Sequence, residues 1–175
     1  MRPHVAHTAD LPEADLAAAR SLLYAVFDDL TEDDWEHCLG GVHALVREGD
    51  AVVAHGAVVM RRLLHGGRAL RTGYVEGVAV HPDRRGRGYG AGVMDALERV
   101  IRGAYDLGAL GSTDEAREFY ARRGWIPWRG PTFALTPTGV VRTADDDDAL
   151  FVVPGAVTPD VAGPITCDWR GGDVW

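Results

Sequence analysis

The chain contains no lysine, asparagine or glutamine, so all 18 of its basic residues are arginine. No lysine Schiff base can form, and no side-chain amide can orient a substrate. Cysteine is nearly absent. Cys38 and Cys167 lie far apart and make no CxxC pair, which argues against a disulfide framework or zinc site and for a reducing, cytoplasmic setting. No apolar run approaches the roughly 20 residues of a membrane span, so no membrane partner is expected. The first ten residues, MRPHVAHTAD, have no apolar signal core, so no export is expected either. Positive charge is in deficit: the formal net charge is −8. That disfavours nucleic-acid binding, which needs a basic face, and suits a small cationic partner, although acidic proteins also stay soluble this way. No GK[ST] phosphate loop is present. The seven histidines show no ligand spacing and no cysteine companions, so structural roles are expected for them and no metal.

What remains is a soluble-type composition, 46% apolar and 25% charged, over 175 residues. That length suits one domain, residues 1–175, with a sizeable core. Residues 3–8 can form a short strand. Residues 10–30 predict a helix, with Asp10 as N-cap and Leu16, Ala19, Leu23, Val26, Phe27 and Leu30 facing the core. Residues 41–48 and 51–64 predict strands joined at Gly49-Asp50, and Gly66-Gly67 turns the chain into a third strand. A strand over 106–110 and a helix over 113–123, stopped by Gly124, follow. Residues 132–135 and 149–153 predict late strands. Two tryptophans close to the end, Trp169 and Trp175, suggest packing there.

Two acid runs stand out. Asp28, Asp29, Glu32, Asp33, Asp34 and Glu36 crowd together without an arginine, and Thr31 can cap a short helix among them. Residues 145–148 are four consecutive aspartates. Either run can be a solvated rim or an anionic lip for a polycation, and composition does not separate the two.

Residues 72–92, TGYVEGVAVHPDRRGRGYGAG, organise the rest. Thr72, Tyr74, Glu76, Val78 and Val80 alternate with Gly73, Val75, Gly77 and Ala79. Glu76 therefore lies mid-strand among apolar neighbours and needs a partner, water or a function. Gly77 beside it suggests a bulge or a close backbone approach. Pro82 stops the strand. Arg84, Arg85 and Arg87 then alternate with Gly86, Gly88 and Gly90 before a helix with Val93, Met94, Leu97, Val100 and Ile101 on one side. Glycines at a helix start let free N–H groups converge on an anion, and arginines add charge-assisted bonds to phosphate. The pattern is that of a diphosphate site. Gly86-x-Gly88-x-x-Ala91 matches a loose dinucleotide fingerprint, but that loop should follow the first strand of a parallel βαβ unit, and here it follows an antiparallel meander.

Arg85-x-x-Gly88-x-Gly90, after Glu76-Gly77-Val78-Ala79-Val80-His81-Pro82, resembles the acetyl-CoA site of the GNAT superfamily of N-acetyltransferases. The helix ending Glu118-Phe119-Tyr120-Ala121-Arg122-Arg123-Gly124-Trp125 is similar to that superfamily's tyrosine-bearing helix. More narrowly, DDWEH, LGGVHAL, GYVEGVAV, RGAYDLGAL, GWIPW and CDWRGGDVW resemble the aminoglycoside 2′-N-acetyltransferases, over residues 33–175.

The resemblance implies an α+β GNAT fold, a central mixed but mostly antiparallel sheet with splayed strands and flanking helices. It implies acetyl-CoA as donor, coenzyme A as product, a polycationic aminoglycoside as acceptor and a homodimer. By the same resemblance Glu76 is the base, Tyr120 the general acid and the Val78 N–H the donor to the acetyl oxygen. Val78, Ala79, Val80, Arg85, Gly86, Arg87, Gly88, Gly90 and Ala91 bind the cofactor. Asp29, Asp34, Glu76, Gly77, Ser112, Asp146, Asp173 and the terminal carboxylate of Trp175 bind the acceptor. Two departures are visible: Gly111 replaces a small polar residue expected before Ser112, and the 145–148 turn is one acid longer than expected. A same-fold enzyme for another aminosugar or a cell-wall amine is the nearest rival. A non-catalytic acyl-CoA sensor is a second, which Glu76 and Tyr120 together disfavour. A nucleotide-binding oxidoreductase is a third, which the antiparallel first half disfavours.

Overall fold

The computed structural model describes residues 2–175. They fall into two compact units, one formed by the chain up to Val59 with Val75–Val100, the other by Met60–Tyr74 with Ile101–Trp175.

The first unit opens with strand β1 (His4–His7) and helices α1 (Glu13–Val26) and α2 (Glu32–His37). Strand β2 (Val42–Glu48) pairs antiparallel with β1 and with the first part of β3 (Ala51–His65), with a register shift at Val46/Arg47. The later part of β4 (Arg68–Val80) and most of α3 (Tyr89–Ala104) complete the unit. Its core joins Leu11, Ala19, Leu22, Leu23, Trp35, Cys38, Leu45, Val52, Ala57 and Ala79. On the other face of β3, Gly56 lets Val93 and Leu97 of α3 close on the backbone. A Cβ there would come within 2.8 Å of Val93 and 3.0 Å of Leu97.

The second unit carries the strand order β6-β9-β5-β4-β3-β10-β7-β8. Here β6 is Ile126–Pro127, β9 Leu150–Pro154, β5 Leu107–Gly111, β10 Ile165–Cys167, β7 Thr132–Thr136 and β8 Gly139–Arg142, with one short helix, α4 (Arg117–Arg122). Strand β5 runs parallel to β4 and antiparallel to β9, while β10 runs parallel to β7. The sheet is therefore mixed and mostly antiparallel. Arg61, only 4% exposed, is held by Asp168 at 2.8 Å and lies over the Tyr74 ring. No helix among the described residues is long and apolar enough to cross a membrane.

The expected helix over 10–30 is shorter at both ends. Pro12 takes the N-cap position, Asp10 closes a preceding 3-10 turn and caps nothing, and the helix stops before Asp28-Asp29. Acids at a helix C-terminus oppose its dipole, which accounts for the early end. The expected helix over 113–123 is a 3-10 turn, Asp114–Ala116, followed by α4; Gly124 (φ +86°) ends it as predicted. Thr31 caps α2 as expected, in a reciprocal box with Asp34. Strands β8 and β10 are new: all four β8 residues are exposed and β10 has three residues, so neither leaves a hydrophobic period to read. Of the late tryptophans, Trp175 is buried and Trp169 is 53% exposed.

Candidate active site

Glu76 sits half-buried on β4, one residue before Gly77. Gly77 has φ +57°, the left-handed region that costs other residues about 1–2 kcal/mol. Space excludes a side chain as well: a Cβ at Gly77 would lie 2.7 Å from Cys38 Sγ and 2.8 Å from Leu23 Cδ2. The strict alternation expected for residues 72–80 does not run through this point. Gly73 faces Ile101 and Tyr105, whereas Gly77, which should share its face, meets Leu23 and Cys38. The left-handed residue turns the strand over beside the carboxylate. The Gly77 carbonyl accepts from His55 Nδ1 at 2.7 Å. Val78 and Val80 are half-buried, while Ala79 is buried in the core.

At His81 the chain leaves the strand. The His81 N–H donates to Val53 O at 2.9 Å, and a 3-10 turn, Pro82–Arg84, makes the corner. Gly86 (φ +74°) and Gly88 (φ +80°) follow, both exposed, with open space where side chains would be. The first bonded amide entering α3 is Gly92 N–H, to Gly88 O at 2.9 Å. The N–H groups just before it, with Gly90 and Ala91 among them, are those a helix start leaves for an anion. Arg85 and Arg87 are exposed beside this end. Glu48, a residue without any sequence motif, organises the loop. Its carboxylate accepts from Arg84 Nε at 2.7 Å and from the Tyr89 hydroxyl, with Arg87 at 3.6 Å. The Tyr89 bond first, then Arg84, lowers the Glu48 pKa, so it stays charged. Arg84 is therefore committed to a protein carboxylate that Arg87 also reaches, while exposed Arg85 has its Nε 3.5 Å from Val80 O. The open glycines, free amides and two arginines fit a diphosphate.

In the second unit, Tyr120 is 7% exposed and rings with Phe119, Trp125 and Phe151 surround it. Burial pushes its phenol up to about 12, with Arg123 opposing slightly. Four of the expected acceptor residues belong to this unit. Asp146 is half-buried and its pKa is raised, first by burial and then by the charge of Asp173. Asp173 Oδ1 accepts from the Trp175 N–H at 3.2 Å, and Trp175 Nε1 donates to Thr143 Oγ1 at 2.9 Å. Arg170 donates to a Trp175 carboxylate oxygen at 2.9 Å and to the Asp173 carbonyl at 2.7 Å. The missing side chain at Gly111 would stand 4.0 Å from the Trp175 carboxyl carbon. Ser112 Oγ donates to the neighbouring Thr113 carbonyl at 2.9 Å.

The other acids divide by role. Asp147 pairs with Arg142 and accepts from Thr132 N and Oγ1; the Arg142 bond foremost holds its carboxyl down at about 2. It is a structural residue inside the second acid run. In the first unit, Asp29 is exposed, whereas Asp34 Oδ2 accepts from Thr31 N and Oγ1 at 2.8 Å each. Asp34 is thus a cap residue first.

A carboxylate beside a left-handed glycine, on a strand that turns a corner into an arginine-glycine helix start, is the arrangement that the resemblance to coenzyme A-dependent acyltransferases implies. The chain belongs to the acetyltransferase (GNAT) family, whose model matches residues 9–125. It is 52% identical, over 97% of its length and 89% of the relative's, to an aminoglycoside 2′-N-acetyltransferase of Mycolicibacterium fortuitum. The fold is shared with an Escherichia coli GNAT family N-acetyltransferase, YhbS, solved with coenzyme A (17% identity, TM-score 0.62, 95% of this chain and 89% of that one). It is also shared with a Brucella melitensis GNAT acetyltransferase solved with acetyl-CoA (15% identity, TM-score 0.61, 94% of each chain). The expected fold class and enzyme class hold, and the acetyl donor of this family is acetyl-CoA.

Proposed function

We propose that the protein transfers the acetyl group of acetyl-CoA to the 2′-amine of aminoglycoside antibiotics, and so confers resistance to them. The observation that carries this is the 52% identity, over almost the whole chain, to an enzyme of that name. The acid cluster at Asp146 and Asp173 supports it: two carboxylates that repel each other gain from a cationic ligand.

Acetyl-CoA brings an activated thioester, held at its diphosphate by Arg85, Arg87 and the amides from Gly86 to Ala91. Asp29, Asp146, Asp173 and the Trp175 carboxylate, with Ser112 and the Gly77 backbone, bind the acceptor, while Asp34, held by Thr31, keeps its cap role. Glu76 takes the proton that the substrate ammonium must lose before its nitrogen can attack the carbonyl carbon. The Val78 N–H donates to the oxygen on which negative charge develops. As the carbon–sulfur bond breaks, Tyr120 donates its hydroxyl to the sulfur. A phenol at about 12 keeps its proton at any working pH. Full transfer to a thiolate whose thiol titrates near 8.5 is uphill, so Tyr120 acts as a hydrogen-bond donor and solvent supplies the final proton. The direct attack needs both substrates bound together.

The family match takes in segments of both units, which supports one acetyltransferase domain over residues 1–175. Two reduced, buried cysteines suit the cytoplasm. The net charge of −8 favours a small polycation over nucleic acid, and no membrane partner is assigned. Leu135, Val140 and Val141, exposed at the β7–β8 edge, suit cover by a second copy in a homodimer. Gly111, beside the Trp175 carboxyl, favours one alternative, an acceptor that is another aminosugar or a cell-wall amine.

A thiol-release assay with acetyl-CoA decides. Turnover with gentamicin and tobramycin, and none with an amikacin-type acceptor bearing a 2′-hydroxyl, is expected. Turnover only with other amino sugars would replace the drug by a metabolic amine.

A further inference from the structure

The amide that donates from Val78 and the carbonyl of Gly77 belong to one peptide plane, and that plane is held from behind. His55 Nδ1 lies 2.7 Å from the Gly77 carbonyl oxygen. A carbonyl only accepts, so His55 carries its proton on Nδ1. His55 is completely buried, and His43 Nδ1 lies 3.0 Å from its other nitrogen, Nε2. In neutral His55 that nitrogen only accepts, so His43 is also protonated on Nδ1. His43 Nε2 must then accept, and it meets Thr8 Oγ1 at 2.8 Å. That hydroxyl also lies 3.2 Å from Gly41 O, but its single proton goes to the shorter contact with His43 Nε2, and its oxygen accepts in turn from the Gly40 N–H at 3.0 Å. One direction runs through the whole chain: Gly40 N–H to Thr8, Thr8 to His43, His43 to His55, and His55 to the Gly77 carbonyl.

We propose that Thr8, His43 and His55 are positioning residues for catalysis, a relay that fixes and polarises the Gly77–Val78 peptide so that the Val78 N–H is aimed and strengthened as the donor to the developing oxyanion. The inference rests on the proposed acetyl-transfer reading of Val78. The physical basis is twofold. The peptide is planar, so a bond at its oxygen sets the direction of its N–H on the opposite side. Aligned bonds in a low-dielectric interior also polarise one another, by roughly 10–30% per bond. Packing alone does not require a hydrogen-bonding side chain under Gly77; Leu23 and Cys38 come closer to its Cβ position, at 2.8 and 2.7 Å, than the His55 ring, at 3.4 Å. The relay needs neutral histidines, and burial supplies that: desolvation first lowers both to about 4, with His7 acting on His43, and His43 acting on His55 against the Gly77 bond. Trp35, 6.3 Å from His55, is its other ring neighbour.

Three measurements on the whole protein test it. Nitrogen-15 NMR of the histidine rings at pH 7.5 should show His43 and His55 neutral and protonated on Nδ1; an Nε2–H tautomer at either ring overturns the relay. His55→Phe removes the donor and should lower kcat by about 10–100-fold while leaving the Kd for coenzyme A, which has no acetyl oxygen, within about twofold. His55→Asn places an amide N–H near the lost Nδ1–H and should recover most of kcat even if the phenylalanine variant folds poorly. A kcat unchanged in His55→Phe, or coenzyme A affinity falling with kcat by the same factor in both variants, would leave the histidines structural. A wild-type protein that turns over no amine would remove the transferase reading instead, and the tautomer measurement still decides whether the relay exists.

Discussion

At Glu76 and Tyr120, the chemistry we propose depends on which proton each group holds. A positioned general base contributes about 10²–10⁴-fold, so Glu76→Gln is expected to lower kcat by that order and to flatten the acid limb of the pH–rate profile. A variant with the wild-type profile would remove the base role. Tyr120 gives a contrasting expectation. Its pKa of about 12 lies above any working pH, so activity should show no loss from its ionisation between pH 8 and pH 10. Tyr120→Phe should lower kcat by about 10-fold or more with little change in coenzyme A affinity, as steady-state kinetics and calorimetry can show. Both residues were legible in the sequence because each sits in a motif with a fixed neighbour, Gly77 or Gly124. Glu48, His43 and His55 were not. Each acts through a partner at least twelve positions away in the chain, which no local spacing reveals.

Among the elements, β4 joins fold to chemistry. Its left-handed glycine marks the end of regular alternation and carries the peptide whose N–H is proposed to act. Gly77→Ala combines a left-handed alanine with a Cβ 2.7 Å from Cys38 Sγ. We expect about 2–4 kcal/mol of destabilisation from strain and overpacking, read as a fall in Tm of several degrees, together with lost turnover. Turnover lost at full stability would show that the strand absorbs the methyl by shifting the site. The strands with strong alternation or β-branched runs and the α3 stripe were predictable from their periods. Short elements were harder: β8 and β10, with four and three residues, were not predicted, and of the helix expected over 113–123 only the six residues of α4 are α-helical. The α2 cap, with its threonine and acid three positions apart, was readable because a capping box is a local interaction.

For the molecule as a whole, the buried histidines imply sensitivity to acid. Their folded-state pKa values of about 4 lie below the ordinary 6.5, so between those values the unfolded chain binds more protons. Stability should therefore be complete above about pH 6.5 and be lost as the pH falls toward 4, by up to about 1.4 kcal/mol per pH unit for each histidine. Urea unfolding across this window checks the slope. His55→Asn, which cannot charge, should show a shallower one, whereas an equal slope would place the acid sensitivity elsewhere. The same burial that keeps the pair neutral at pH 7 makes it a liability at pH 5.

The sequence alone determined the class of the protein. Glycine-arginine spacing before an apolar helix, a mid-strand carboxylate and a tyrosine ahead of a helix-ending glycine are local patterns, and local patterns survive without coordinates. It also supplied a surplus of acids. Tertiary structure decided which of them are available, because an aspartate's partner is chosen in space. Asp147 is bound to Arg142, Asp34 caps α2, Glu48 holds Arg84, and Asp146 is left half-buried near Asp173 with its charge uncompensated by an ion pair. It decided as well that two histidines with no motif between them stand in line behind the Gly77–Val78 peptide, since the antiparallel pairing of β2 with β3 and the left-handed turn at Gly77 in β4 bring together residues that the chain keeps far apart.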